Sequence, residues 1–196
     1  MGSVIAHMSM SLDGFIARHD DEVGPLFDWQ DGGPVETPTA SERWSFHTDA
    51  ASAEILSTMM GMAGALICGR WLFDFTKGWD GLHPVGCPVV VVSHSVPAGW
   101  PRPGVPFTFV NGVSQAVAEA QAIAGDKNVV IASPSITQQC LDLGLLDEVH
   151  VSLVPVLLGD GIPFFANLSD APVMLDDPVV TPGRRVTHLA YRVSDR

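Results

Sequence analysis

Four consecutive valines, Val89 to Val92, make a strand with no face to offer water. Such a run is at home in a parallel sheet covered by helices on both sides. Ala65 to Cys68, Phe107 to Val110 and Val129 to Ala132 repeat the pattern. Between these runs lie stripes of helical period. Val113, Ala116, Val117, Ala120 and Ile123 share one face up to Gly125, and Pro134 to Leu143 predicts a second helix stopped by Gly144. Strands alternating with helices predict a three-layer α/β domain.

The flanking segments extend this reading. Val4 to Met10 predicts a first strand, turning at Asp13-Gly14 and resuming at Phe15-Ile16. His19 to Pro38, polar and rich in Gly, Pro and Asp, reads as a long loop excursion. Thr39 and Glu42 have capping-box spacing, and Trp44, Thr48, Ala51, Ile55, Met59 and Met62 behind them predict an amphipathic helix. Gly69-Arg70 opens a brief helix through Phe75. From Glu148 a long strand runs to Val156. Val173 to Val180 and Arg185 to Val193 then predict an antiparallel hairpin, joined at Thr181-Pro182-Gly183, on a mostly parallel sheet.

Composition narrows the function classes. A chain of 196 residues fits one domain, 1–196, with a core of its own. No apolar run approaches the roughly 20 residues of a membrane span. The N-terminus lacks a basic start and an apolar core, so a cytoplasmic protein is expected. Net charge is −12, with Lys77 and Lys127 the only lysines, which argues against nucleic-acid and anionic-membrane partners. Three cysteines without C-x-x-C spacing offer neither a disulfide framework nor a zinc site. His47, His83, His150 and His188 are too scattered to read as metal ligands.

Ligands of open α/β sheets gather where strands end and helices begin. Three junctions qualify. In Ala132-Ser133-Pro134-Ser135-Ile136, Pro134 suits the first helical position and Ser133 the N-cap. Free N–H groups and two hydroxyls there make an anion site at the positive end of a helix dipole, or a plain helix cap. Gly69-Arg70 pairs close backbone approach with a guanidinium able to fork onto phosphate, or to sit in a surface ion pair. Ser93-His94-Ser95 offers hydroxyls and an imidazole to a phosphate or ribose, or forms a turn. No Walker, HExxH, GxSxG or GxGxxG motif is present.

The order of motifs adds to this. Ser9-Met10-Ser11-Leu12-Asp13-Gly14-Phe15-Ile16, Gly69-Arg70 with Phe73-Asp74, Gly144-Leu145-Leu146-Asp147-Glu148, and Pro155-Val156-Leu157-Leu158-Gly159-Asp160-Gly161 with Phe164-Phe165 follow one another. Over nearly its whole length the chain resembles the dihydrofolate-reductase-like family, represented by the C-terminal reductase domain of bacterial bifunctional riboflavin biosynthesis proteins. The stand-alone members are the most similar. The resemblance implies a three-layer fold with a mixed sheet, NADPH as hydride donor, and a small heterocyclic substrate, pterin- or pyrimidine-like. It places Ala6 and His7 beneath the nicotinamide. Gly69-Arg70-Trp71 and Ser93-His94-Ser95 would flank the 2′-phosphate and pyrophosphate, and Ala132, Ser133, Pro134, Ser135 and Ile136 would cradle the pyrophosphate. Gly14 and Phe15, with Pro155, Leu158 and Gly159, would border the substrate. It further implies a homodimer, for which the apolar residues of Val149 to Phe165 offer a patch.

One departure stands out. The family carries a Gly-Gly pair where this chain has Ala132-Ser133. A Cβ at each position adds bulk where phosphate should approach, and Pro134 removes one donor. Hydride transfer needs position and a nearby acid, and Asp13 is the candidate for that acid or for a substrate anchor. Two alternatives to the reductase remain: a non-catalytic binding protein that kept the fold and lost the cofactor, and a reductase using another, flavin-like cofactor.

Overall fold

A computed structural model describes residues 2–41, 43–169 and 171–194. Its main sheet has eight strands in the order β11-β12-β9-β1-β8-β5-β6-β7. Six strands are mutually parallel: β1 (Val4–Ser11), β5 (Ala63–Gly69), β6 (Val89–Val92), β8 (Asn128–Ile131) and β9 (Glu148–Val154) inside the sheet, and β7 (Phe107–Val110) at its edge. The hairpin of β11 (Val179–Gly183) and β12 (Val186–Arg192) adds antiparallel pairing along β9. Two small pairs lie outside the main sheet: β2 (Phe15–Ala17) with β10 (Ile162–Pro163), and β3 (Val35–Pro38) with β4 (Ser45–Thr48).

The valine run behaves as its composition demands, with Val89, Val90 and Val91 all buried. Val90 and Ile67 turn to a core formed with α3 (Val113–Ala124) and α4 (Pro134–Asp142). Val89, Val91, Leu66 and Cys68 turn the other way and meet Phe73 of α2 (Arg70–Phe75). On that second face, α1 (Ala50–Met62) supplies Leu56 to a third cluster with Leu26, Trp29, Val154 and Val186. This is the three-layer α/β arrangement with a C-terminal antiparallel hairpin.

Four expectations are corrected. The amphipathic helix begins at Ala50, capped by Asp49, whose carboxylate accepts from the N–H groups of Ala51 and Ser52. Ser45–Thr48 instead pairs as a strand with Val35–Pro38, leaving Trp44 exposed, while Glu42 lies outside the described residues. The excursion His19 to Pro38 is not a plain loop. It holds a 3₁₀ helix, Gly24–Gln30, that buries Leu26 and Trp29, and it ends in β3. Thr181-Pro182-Gly183 belongs to β11, and the hairpin turns at Arg184-Arg185, with Arg185 at φ 60°. Finally, Val149 to Phe165 is no surface patch. Val149, Val151, Val154 and Phe164 are core residues, and only Leu157 and Phe165 among its large apolar side chains are exposed.

Cys68, Cys87 and Cys140 are free and buried. Burial pushes the thiols of Cys68 and Cys140 up to about 12 and that of Cys87 to about 11. A thiolate-directed reagent at pH about 8 is therefore expected to label none of them in the folded protein and all after urea unfolding. Mass spectrometry counts the adducts, and rapid native labelling would contradict this burial.

Candidate functional site

Because the inner strands are parallel, their carboxyl ends share one edge of the sheet. β1 and β9 stay paired to Ser11 and Val154, and the pairing continues into their loops through Leu12 N–H to Val156 O at 2.9 Å. There the Asp13 carboxylate accepts from the Ser11 hydroxyl (2.5 Å) and from the N–H groups of Gly159 (2.7 Å) and Leu158 (3.2 Å). Ser11 Oγ in turn accepts from Phe15 N–H at 2.9 Å. The Ser11 hydroxyl, helped by those two N–H groups, holds the Asp13 carboxyl below the usual carboxylate range. Asp13 is thus an ionised clamp between two loops. That suits an anchor and does not suit a proton donor at neutral pH. Gly14 sits at φ 92° and its carbonyl accepts from Phe164 N–H, so β2 and β10 are tied to the same corner.

On its other side β1 parts from its neighbour early. The last β1–β8 pair is Ala6 with Ile131, whereas β1 runs five residues further. The chain after β8 leans away toward β5: Ala132 N–H donates to Ile67 O (3.0 Å), and Gly69 N–H donates to Ser133 Oγ (2.8 Å). A gap opens between Met8–Ser11 and Ala132-Ser133. In a parallel ladder alternate residues turn their N–H and C=O to the same neighbour. Val4 and Leu12 face β9, so Ser9 faces the gap, where no strand pairs with it. Ser9 is a site residue that sequence reading passed over; the signal lies in the register, not in residue type.

Ser133 occupies the N-cap position of α4, but its hydroxyl oxygen serves Gly69 rather than the helix. The cap expected of it is absent, and Ser135 N–H and Ile136 N–H are left without a side-chain partner. Arg70 spans the next two strand ends. Its Nε donates to Asp74 at 2.7 Å, and an Nη donates to Ser93 Oγ (3.2 Å) and Ser95 O (3.0 Å). His94 meets Asn111 Oδ1 at 2.9 Å. Gly69, Arg70, Ser93, Ser95 and Ser133 are therefore brought into one bonded group, and Asp13, Leu158 and Gly159 into another. Pro155 lies in the second loop. Ala6 joins neither: its side chain is in the α3/α4 core and its backbone pairs on both sides. Trp71 turns outward and stacks on Phe75 at 4.9 Å between ring centres. Among the described residues no His, Cys, Asp and Glu cluster could hold a metal ion. No helix there is long and apolar enough to cross a membrane.

No protein-family model matches the chain, and no curated protein does. Solved structures do match. A candidate riboflavin biosynthesis protein from Shewanella sp. PV-4 superposes with a TM-score of 0.67 at 24% identity, covering 98% of this chain and 99% of that one. Acinetobacter baumannii RibD gives 0.62 at 15% identity, with all of this chain aligned to 59% of that one. Dihydrofolate reductase from Enterococcus faecalis, complexed with NADP(H) and RAB-propyl, gives 0.61 at 12%, covering 99% and 98%. The chain has a dihydrofolate-reductase-like fold. At these identities the likeness is one of fold, and it agrees with the resemblance carried by the ordered motifs. The chain spans little more than half of the RibD protein it matches.

The donors at the edge of this dihydrofolate-reductase-like sheet fit a dinucleotide's pyrophosphate. Ser135 N–H, Ile136 N–H and the Ser133 hydroxyl hydrogen stand at the α4 N-terminus. Arg70 is the nearby cation, and it shares its charge with Asp74.

Proposed function

We propose that the chain is an NADPH-dependent reductase of a small heterocyclic substrate. The observation that carries this reading is the gap between β1 and β8, with the unpaired Ser9 backbone on one side and the α4 N-terminus on the other. A flat ring can enter such a gap while its phosphates meet Ser133, Ser135 and Ile136. When bound, the nicotinamide supplies a hydride to the substrate carbon. The protein's part is position: ring and acceptor held within about 3.5 Å with water excluded. In this reading Asp13 fixes the Val156 to Gly159 loop that borders the substrate, as an anchor and not as the acid.

Calorimetry or saturation-transfer NMR with NADPH and NADH tests it. Saturable NADPH binding below millimolar concentration is expected, and no binding at millimolar cofactor would overturn the proposal. Ser133 gives a second reading some support. Its hydroxyl already consumes Gly69 N–H, a donor that a phosphate would otherwise find. A binding protein that has lost its cofactor would gain NADPH affinity, absent from the wild type, in the double substitution Ala132→Gly, Ser133→Gly.

A further inference from the structure

Three asparagines occur in the chain, and of these only Asn111 is followed by glycine. It lies exposed in the bend between β7 and α3, with His94 of the neighbouring strand end beside it. We propose that Asn111 is a self-modification site, where His94 assists the Gly112 nitrogen in displacing the side-chain amide as ammonia. The inference goes beyond the reductase reading and does not rest on it, since it needs no ligand.

The attack needs a free nitrogen, an unhindered approach and a polarised carbonyl. Gly112 N–H makes no hydrogen bond among the described residues, although its surroundings are ordered. Ser93 N–H donates to Val110 O at 2.9 Å, and Ala116 N–H to Gly112 O at 3.0 Å. Gly112 sits at φ 140° with open space where a Cβ would stand, so no side chain crowds the incoming Cγ. His94 holds the carbonyl. Its Nδ1 lies 2.9 Å from Asn111 Oδ1, and a carbonyl oxygen can only accept, so Nδ1 carries the hydrogen. The sheet sets this pair: Val92 lies opposite Val110, and the two chains leave their parallel strands side by side.

The step balances without an oxidant or reductant. A bond forms between Gly112 N and Asn111 Cγ, closing a five-membered ring within one dipeptide, so the two groups need no encounter. Negative charge gathers on Oδ1, where the His94 N–H meets it and the hydrogen bond strengthens. The Cγ–Nδ2 bond then breaks, and Nδ2 leaves as ammonia with the hydrogen that Gly112 N gives up. Water opens the ring at either carbonyl, leaving aspartate or isoaspartate. The new carboxylate arrives just ahead of α3, whose N-cap Gly112 offers no side-chain bond and whose first turn holds no acid. The positive end of that helix favours it.

The other two asparagines are controls within the same chain. Asn128 precedes a β-branched residue, and its Oδ1 accepts from Ser3 N–H at 3.0 Å. The next nitrogen, that of Val129, is spent on Ser3 O at 2.9 Å. Asn167 precedes Leu168, which packs against the core.

Folded protein aged at mildly alkaline pH in heavy-oxygen water, then digested in acid and read by mass spectrometry, tests this. Conversion should be confined to Asn111, take up the heavy oxygen, and give both isoaspartate and aspartate. His94→Ala should slow it about threefold in the folded protein and leave the rate in urea unchanged. Conversion no faster at Asn111 than at Asn128 and Asn167, aspartate as the only product, or a folded His94→Ala protein that converts as fast as the wild type would overturn the proposal. The first two readings use the wild type alone, so they decide even if the variant does not fold.

Discussion

Trp29→Ala is expected to destabilise the protein by about 3–5 kcal/mol, lowering the urea midpoint without changing the slope. The indole is 4% exposed, packs with Leu26, Leu56, Val154 and Val186, and meets His188 edge-on at 5.1 Å. Its Nε1–H donates to Ser9 Oγ at 3.1 Å. Alanine leaves both a void and an orphaned hydroxyl beneath β1. Trp29→Phe keeps most of the packing and loses only the hydrogen bond, so its loss should be about 1–2 kcal/mol. A loss below about 1 kcal/mol for the alanine variant would mean that the 3₁₀ helix closes over the void without cost.

Asp49→Ala should cost about 1–2 kcal/mol at neutral pH, the worth of a helix cap. Asp49 Oδ1 accepts from Ala51 N–H (3.0 Å) and Ser52 N–H (3.2 Å), and Oδ2 from Ser52 Oγ (2.8 Å) and Arg184 N–H (2.8 Å). Partial burial pulls the other way, but these donors hold the carboxyl at about 2. The folded pKa is thus below the unfolded one. The stabilisation is complete above the unfolded value and is lost as pH falls toward the folded value. Urea unfolding of both proteins from neutral pH down to about pH 3 should show the two stabilities converging, while a constant difference would contradict it.

Much of this architecture was legible because its signals are local. Val89 to Val92 can only be a doubly buried strand, and Gly125 and Gly144 stop their helices where periodicity ends. The α1 start was misread because Trp44 and Thr48 fall in step with the helix, although Ser45–Thr48 finds a strand partner in Val35–Pro38. The hairpin was misplaced because Thr-Pro-Gly has turn composition, whereas an arginine at positive φ gives no warning. At the site, residue types identified Gly69 as a point of close backbone approach and Arg70, Ser93 and Ser133 as polar groups at strand ends. They could not reveal that Ser133 Oγ serves Gly69, 64 residues away in the chain. Nor could they show His7, Ser152 and His188 meeting across three strands, since that needs the register.

The hairpin also governs how this sheet meets other chains. β11 is an outer strand, with Val179 and Val180 bare at 70% and 53% exposure. A bare apolar border would ordinarily invite stepwise growth into fibrils. Pro182 lies in that strand opposite Thr187, and proline has no N–H to give. An incoming strand therefore finds the row of donors interrupted beside its most adhesive stretch, a built-in brake on uncontrolled assembly.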